Sequence, residues 1–157
     1  KGLGELSIFL AFGPLLTLGV GYAILNGEMS TEHIINCILL GLPIGFLTTN
    51  ILLINQFPDM ISDAKTNKNH LVVVFGKKKS RTIYAVILFM TFISSLVISI
   101  KLNLLILIPT FFVLIFGGFI TNYIYKNYEN RKLIKANWNT IILQALYCII
   151  LIITLNI

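Results

Sequence analysis

The chain has 157 residues, of which 57% are hydrophobic and 11% charged, with a mean hydropathy of +0.90. That leaves too little polar surface to cover a soluble core, since soluble domains carry about 25% charged residues. The net charge of +6 does not indicate a nucleic-acid partner: the cations gather in loops between apolar spans rather than over one face, and no DNA- or RNA-binding motif is present.

Five segments are long and apolar enough to cross a bilayer, which takes about 20 residues. They cover about 6–26, 34–57, 82–100, 102–125 and 138 to the end. The chain therefore reads as an all-α integral membrane helical bundle, one domain over 1–157. Pro14, Pro43 and Pro109 fall inside spans. They predict kinks rather than ends, because neighbouring helices can satisfy the freed backbone groups. Cys37 and Cys148 also lie inside spans, with no Cys or His at ligand spacing, and read as buried free thiols.

The connectors set the orientation. The first, 27–33, holds Glu28 and Glu32 and no Lys or Arg. The second carries Lys65, Lys68, Lys77, Lys78, Lys79 and Arg81, the third little but Lys101, and the fourth Lys126, Arg131, Lys132 and Lys135. Cationic loops stay in the cytoplasm. The second and fourth connectors, with Lys1, are therefore expected on the cytoplasmic side of the cell membrane, and the first and third outside. Of the 12 cations only Lys101 departs from this assignment.

The second connector, about 57–81, is the longest. It holds an apolar run, Leu71-Val72-Val73-Val74-Phe75, ending at Gly76. That run is too short to span; it either lies on the membrane surface or folds over a cavity mouth. Ser80 is placed to cap the third membrane helix.

This connector opens with Asp59 and Asp63, two of the six acidic residues in the chain. Four residues advance a helix by a little over one turn, so Asn55, Asp59 and Asp63 would form a stripe about 80° wide. An amide oxygen and two carboxylates are hard oxygen ligands suited to Mg²⁺, which keeps several waters and takes one or two carboxylates plus substrate phosphate. Lys65 and Lys68 are placed to add positive charge for that phosphate. These parts describe a site for a polyisoprenyl diphosphate at the membrane surface. Two features oppose that reading. Pro58 can kink or end the helix and split the stripe, and acids with lysines just outside a span also occur as a plain solvated loop.

The pattern Asn55-x-x-x-Asp59-x-x-x-Asp63-x-Lys65-x-x-Lys68-x-x-Leu71-Val72-Val73-x-x-Gly76 resembles the second aspartate-rich motif of the UbiA superfamily of intramembrane aromatic prenyltransferases. Gly2-Leu3-Gly4-Glu5-Leu6 with Phe12-Gly13-Pro14-Leu15, and Leu42-Pro43-Ile44-Gly45-Phe46-Leu47-Thr48-Thr49, are similar to the dihydroxynaphthoate polyprenyltransferase branch. The resemblance covers nearly the whole chain, with its specific motifs in the first half. It implies a nine-helix fold of which these spans are helices five to nine, and a missing N-terminal half bearing the first aspartate-rich motif. It implies transfer of a polyprenyl group from its diphosphate to an aromatic acceptor, 1,4-dihydroxy-2-naphthoate in menaquinone synthesis, within the membrane lipid. Asp59 and Asp63 would be catalytic metal ligands, Asn55 would support the Mg²⁺, and Lys65 and Lys68 would bind diphosphate. This chain alone is expected to be inactive. Relatives of this branch often carry Gly-Lys-Arg-Thr where this chain has Asn67-Lys68-Asn69-His70, and an Arg where Pro58 stands.

Other residues weigh less. His33 reads as an interfacial residue at the outer boundary, His70 as a loop residue rather than an acid–base group, and Trp138 as an interface anchor. Tyr84, Tyr123, Tyr125 and Tyr147 either line a prenyl pocket or pack helices. Asn50 either bonds across helices or edges the cavity. Glu5 either stands at a helix N-terminus, where its charge is favourable, or faces the site. Two alternative functions remain: the same family with another acceptor (hydroxybenzoate, haem or a glycerol-phosphate lipid), or a small transporter. Transporter carboxylates usually lie near mid-membrane, whereas Asp59 and Asp63 follow the end of a span.

Overall fold

The computed structural model describes residues 3–157, and every regular element among them is helical. Lys1, placed above on the cytoplasmic side, and Gly2 of the opening motif lie outside the described residues. The order is α1 (Leu3–Phe12), α2 (Pro14–Ile24), α3 (Thr31–Lys65), α4 (Leu71–Lys101), α5 (Leu107–Asn127) and α6 (Ile134–Leu155). Single 3₁₀ turns, Leu104–Ile106 and Arg131–Leu133, lead into α5 and α6. Five units are long and apolar enough to span a membrane, α1 and α2 together making the first.

The prolines behave differently from one another. Pro14 marks a full break rather than a kink. It opens α2 behind Gly13, whose φ of −118° and ψ of −110° are non-helical, and at that position proline gives up no helical hydrogen bond. Pro43 and Pro58 both lie inside α3, which continues through them. Pro109 sits in the first turn of α5, where backbone N–H groups lack intrahelical partners anyway. At 35 residues, α3 is about 52 Å long, against a hydrocarbon layer of about 30 Å. The helix is therefore longer than the layer by several turns, and its last two turns carry Asp59 and Asp63.

The third membrane helix starts earlier than its hydropathy suggests. The run Leu71–Phe75 is the first turn of α4, with a break at Gly76 (φ +75°, ψ 159°), a backbone conformation that favours glycine. Ser80 is not the cap: its hydroxyl donates to the Gly76 carbonyl at 2.9 Å, and His70 is the N-cap residue.

Lipid tails are as apolar as leucine, so association between spans rests on close packing and interhelical hydrogen bonds. α3 packs against α1, α2, α4 and α6 and buries Leu47, Leu53 and Phe57 completely. Where it crosses the α1–α2 break, glycines bring backbones together. A Cβ on Gly13 would stand 2.7 Å from the Gly41 carbonyl oxygen, and one on Gly45 would stand 2.6 Å from that of Phe9. Polar side chains link the other helices. The Tyr84 and Thr140 hydroxyls meet at 2.9 Å, Tyr147 donates to Ser95 at 3.0 Å, Gln144 to Thr48 at 2.8 Å, and Asn50 to the Tyr84 carbonyl at 3.2 Å. Tyr84, Tyr147 and Asn50 are thus interhelical contacts. Cys37 and Cys148 are free thiols, half-buried rather than fully buried.

Candidate active site at the basic end of the bundle

The C-terminus of α3, the N-termini of α1, α4 and α6, and the C-terminus of α5 meet at the end of the bundle that carries the Lys65–Arg81 and Lys126–Lys135 cations. Because α3 passes through Pro58 unbroken, Asn55, Asp59 and Asp63 occupy successive turns of one helix. Their environments differ.

Asp63 is engaged through both oxygens. Lys68 Nζ donates to Oδ1 at 3.0 Å, and His70 Nε2 lies 3.2 Å from Oδ2. The hydrogen bond from Lys68 holds the Asp63 carboxyl below its ordinary value; partial burial opposes this, and the contact with His70 adds to it. His70 Nδ1 accepts from the Val73 backbone N–H at 3.4 Å. That arrangement leaves the ring proton on Nε2, directed at Asp63. His70 is therefore part of the carboxylate's surroundings and the cap of α4, more than the loop residue its position suggested.

Asp59 is exposed and makes no ion pair or side-chain hydrogen bond among the described residues. It lines a cavity of about 290 Å³ with Asn55, Pro58, Leu133, Ile134 and Asn137. Asn55 accepts a hydrogen bond from Asn137 of α6, and the Asn137 carbonyl oxygen is buried without a partner. Lys65 is exposed at the last residue of α3, with no ion pair among the described residues.

The loop between α3 and α4 explains the departures at 67–70. Asn67 has φ +58°, the left-handed conformation that Asn adopts more readily than other non-glycine residues. Lys68 N–H bonds back to the Asp63 carbonyl at 3.0 Å, a helix-terminating pattern usually closed with glycine. Asn67 thus makes the turn, and His70 makes the cap.

Glu5 faces this region as well as standing near a helix N-terminus. It is 3% exposed, and its Oε1 accepts from Gln56 Nε2 at 3.0 Å and from the Leu71 backbone N–H at 2.9 Å. Gln56, Asn137 and the role of His70 were not singled out by sequence reasoning. The available signal was modest: an amide near the end of one apolar helix, Gln56, and an amide in the first turn of another, Asn137.

Nearby, Arg81 stacks over the rings of Tyr125 and Tyr128, its guanidinium carbon 4.6 and 4.5 Å from their centroids. Tyr123 donates to the Lys132 carbonyl at 3.1 Å. Trp138 is exposed on α6 at this end. His33 lies at the opposite end, in a capping box with Ser30.

No group of three or more His, Cys, Asp or Glu placed to hold a metal occurs among the described residues. The donors fit a Mg²⁺ ion that takes one or two carboxylates and completes its shell with water and phosphate. They do not form an all-protein cage. Asp59 is open for this role, whereas Asp63 must exchange Lys68 or His70.

A family model described as the UbiA prenyltransferase family matches residues 2–153. The chain is 36% identical over 87 residues to a 1,4-dihydroxy-2-naphthoate octaprenyltransferase of Haemophilus influenzae. It is 33% identical over 88 residues to a protein of the same name from Escherichia coli. Each match covers 55% of this chain and 27% of the relative. No solved structure matches the chain.

Proposed function

This chain belongs to the UbiA prenyltransferase family, and from that premise we propose that it forms part of an enzyme that prenylates 1,4-dihydroxy-2-naphthoate with a polyprenyl diphosphate. The observation that carries the reading is the unbroken passage of α3 through Pro58 to Lys65. It keeps Asn55, Asp59 and Asp63 on one helix at the basic end of an apolar bundle. The acceptor is taken from the names of the two relatives.

In this reading Asp59 and Asp63 hold Mg²⁺, with Asn55 supporting them. The ion, when bound, neutralises charge on the departing diphosphate. Lys68 leaves Asp63 for the diphosphate, and Lys65 adds charge beside it. The allylic C–O bond breaks and diphosphate leaves, the ring carbon that bears the carboxylate bonds to the prenyl carbon, and the carboxylate departs as CO₂, its bonding pair restoring the aromatic ring. The apolar spans keep water from the electron-deficient carbon. The basic end faces the cytoplasm of a cell-membrane protein, as its cations favour. The part preceding this chain supplies the first aspartate-rich motif, so the chain by itself is expected to transfer no prenyl group.

The test uses the full-length protein in membranes with Mg²⁺, a polyprenyl diphosphate and the naphthoate. Prenylated product is expected, with a loss of about a hundredfold or more in Asp59→Asn and in Asp63→Asn, and complete loss on chelating the metal. Activity that survives both substitutions would remove the site. Activity only with hydroxybenzoate or another acceptor would remove the naphthoate assignment.

A further inference from the structure

The most buried carboxylate among the described residues lies outside the aspartate motif. Glu5 is 3% exposed, although acidic side chains are almost never fully buried unless paired. No Lys, Arg or His pairs with it among the described residues. What holds it is one oxygen, Oε1, shared by two donors from different helices: Gln56 Nε2 of α3 at 3.0 Å and Leu71 N–H of α4 at 2.9 Å.

Those two partners bracket the site. Gln56 follows Asn55 and lies three residues before Asp59. Leu71 is the first residue of α4, directly after His70. Between them run the last turns of α3 and the 66–70 loop, which delivers Lys68 and His70 to the two oxygens of Asp63. The loop's other end is closed by the bond from Lys68 N–H to the Asp63 carbonyl.

We propose that Glu5 is a positioning residue for the candidate site: its Oε1 pins the start of α4 to α3 and so sets where the 66–70 loop presents Lys68 and His70 to Asp63. This rests on the prenyltransferase reading above. The first backbone N–H groups of a helix lack partners and carry partial positive charge. A carboxylate from another span that accepts one of them acts as a cap supplied in trans. An acceptor oxygen buried beside such a donor holds it more firmly than water would, because little solvent competes there. The other oxygen, Oε2, and Gln56 Oε1 are buried without partners. Glu5→Gln keeps an acceptor for the Leu71 N–H and replaces the partnerless Oε2 with an NH₂ group.

The experiment uses the full-length protein with four substitutions: Glu5→Ala, Glu5→Gln, Leu71→Pro, and Glu28→Gln as an exposed control at the opposite end. Leu71→Pro removes that N–H at a position that accepts proline, along with a half-buried leucine side chain that packs on the core. It stands in for Glu5→Ala should that protein fail to fold. KM for the polyprenyl diphosphate is expected to rise about tenfold or more in Glu5→Ala and Leu71→Pro, with kcat changed less than about threefold. Glu5→Gln should restore KM to within about threefold. A residue that served folding alone would reduce the amount of active enzyme and leave KM unchanged. That result in a folded Glu5→Ala or Leu71→Pro protein overturns the proposal.

Hydrogen exchange separates this inference from the assigned reaction. In Glu5→Ala, amides 66–73 should exchange faster while those of 84–98 stay protected. If even the unsubstituted protein transfers no prenyl group, the reaction fails, and the exchange pattern decides the positioning role alone. A selective rise at 66–73 supports it, and unchanged exchange there removes it.

Discussion

At the scale of single residues, the contrast between Asp59 and Asp63 matters most. They stand one turn apart, yet Asp59 is open and Asp63 is closed on both oxygens by Lys68 and His70. The lowered Asp63 value has Lys68 as its main cause. A group lowered in the folded state contributes stability above its unfolded value and loses it as pH falls through the folded value. The contact should therefore be intact at neutral pH and fail only below the ordinary carboxylate value of 3.8. Lys68→Met should raise the Asp63 value, readable by carbon NMR of labelled aspartate. The same variant should bind Mn²⁺ more tightly, since a competing cation is gone, and bind diphosphate less well. Unchanged metal affinity would mean that Lys68 does not occupy the metal's place. His70→Ala should cost about 1 kcal/mol through loss of the α4 cap, and His70→Thr should retain most of it; thermal unfolding in detergent compares the two.

At the scale of elements, the crossing of α3 over the α1–α2 break depends on missing side chains. Gly41 and Gly45 are four residues apart, the small-xxx-small spacing that lets membrane helices approach closely. The contacts awaiting a Cβ at Gly13, Gly41 and Gly45 include backbone atoms closer than 3 Å, which cannot swing aside as a flexible side chain would. Gly45→Ala should therefore destabilise the protein by about 1–3 kcal/mol. Gly4→Ala, with nothing within 4 Å of the new Cβ, should be near neutral. Equal effects in denaturant unfolding would show that this crossing does not limit stability. Since the crossing also orients α1, which carries Glu5, a widened gap here should reach the site loop.

At the scale of the whole molecule, the outward faces are apolar. Ile100, Phe119 and Ile152 are each more than 60% exposed, a surface suited to hydrocarbon or to further apolar helices. The charged residues collect at the ends, and the distribution of Lys and Arg defines an orientation that labelling can test. With Cys37 and Cys148 replaced, a cysteine at Asn67 or Asn130 should react with an impermeant maleimide only from the cytoplasmic face. One at Glu28 or Lys101 should react only from the other face. The reverse pattern would invert the bundle and put the aspartate helix end outside.

Much of this architecture was readable from composition. A span is a statement about transfer of side chains into hydrocarbon, which each residue makes independently of the rest, so five spans and their order follow from the chain alone. The aspartate stripe was readable as a spacing. Its continuity was not, because Pro58 permits either a kink, a stop or an uninterrupted helix, and neighbouring helices decide which. The break at Pro14, the early start of α4 and the closing of Asp63 by Lys68 and His70 likewise depend on partners distant in sequence. So does the burial of Glu5 against residues 51 and 66 positions away. Hydropathy reports what each residue prefers as a solvent; which carboxylate is capped, clamped or left open is set by the donors that folding brings beside it.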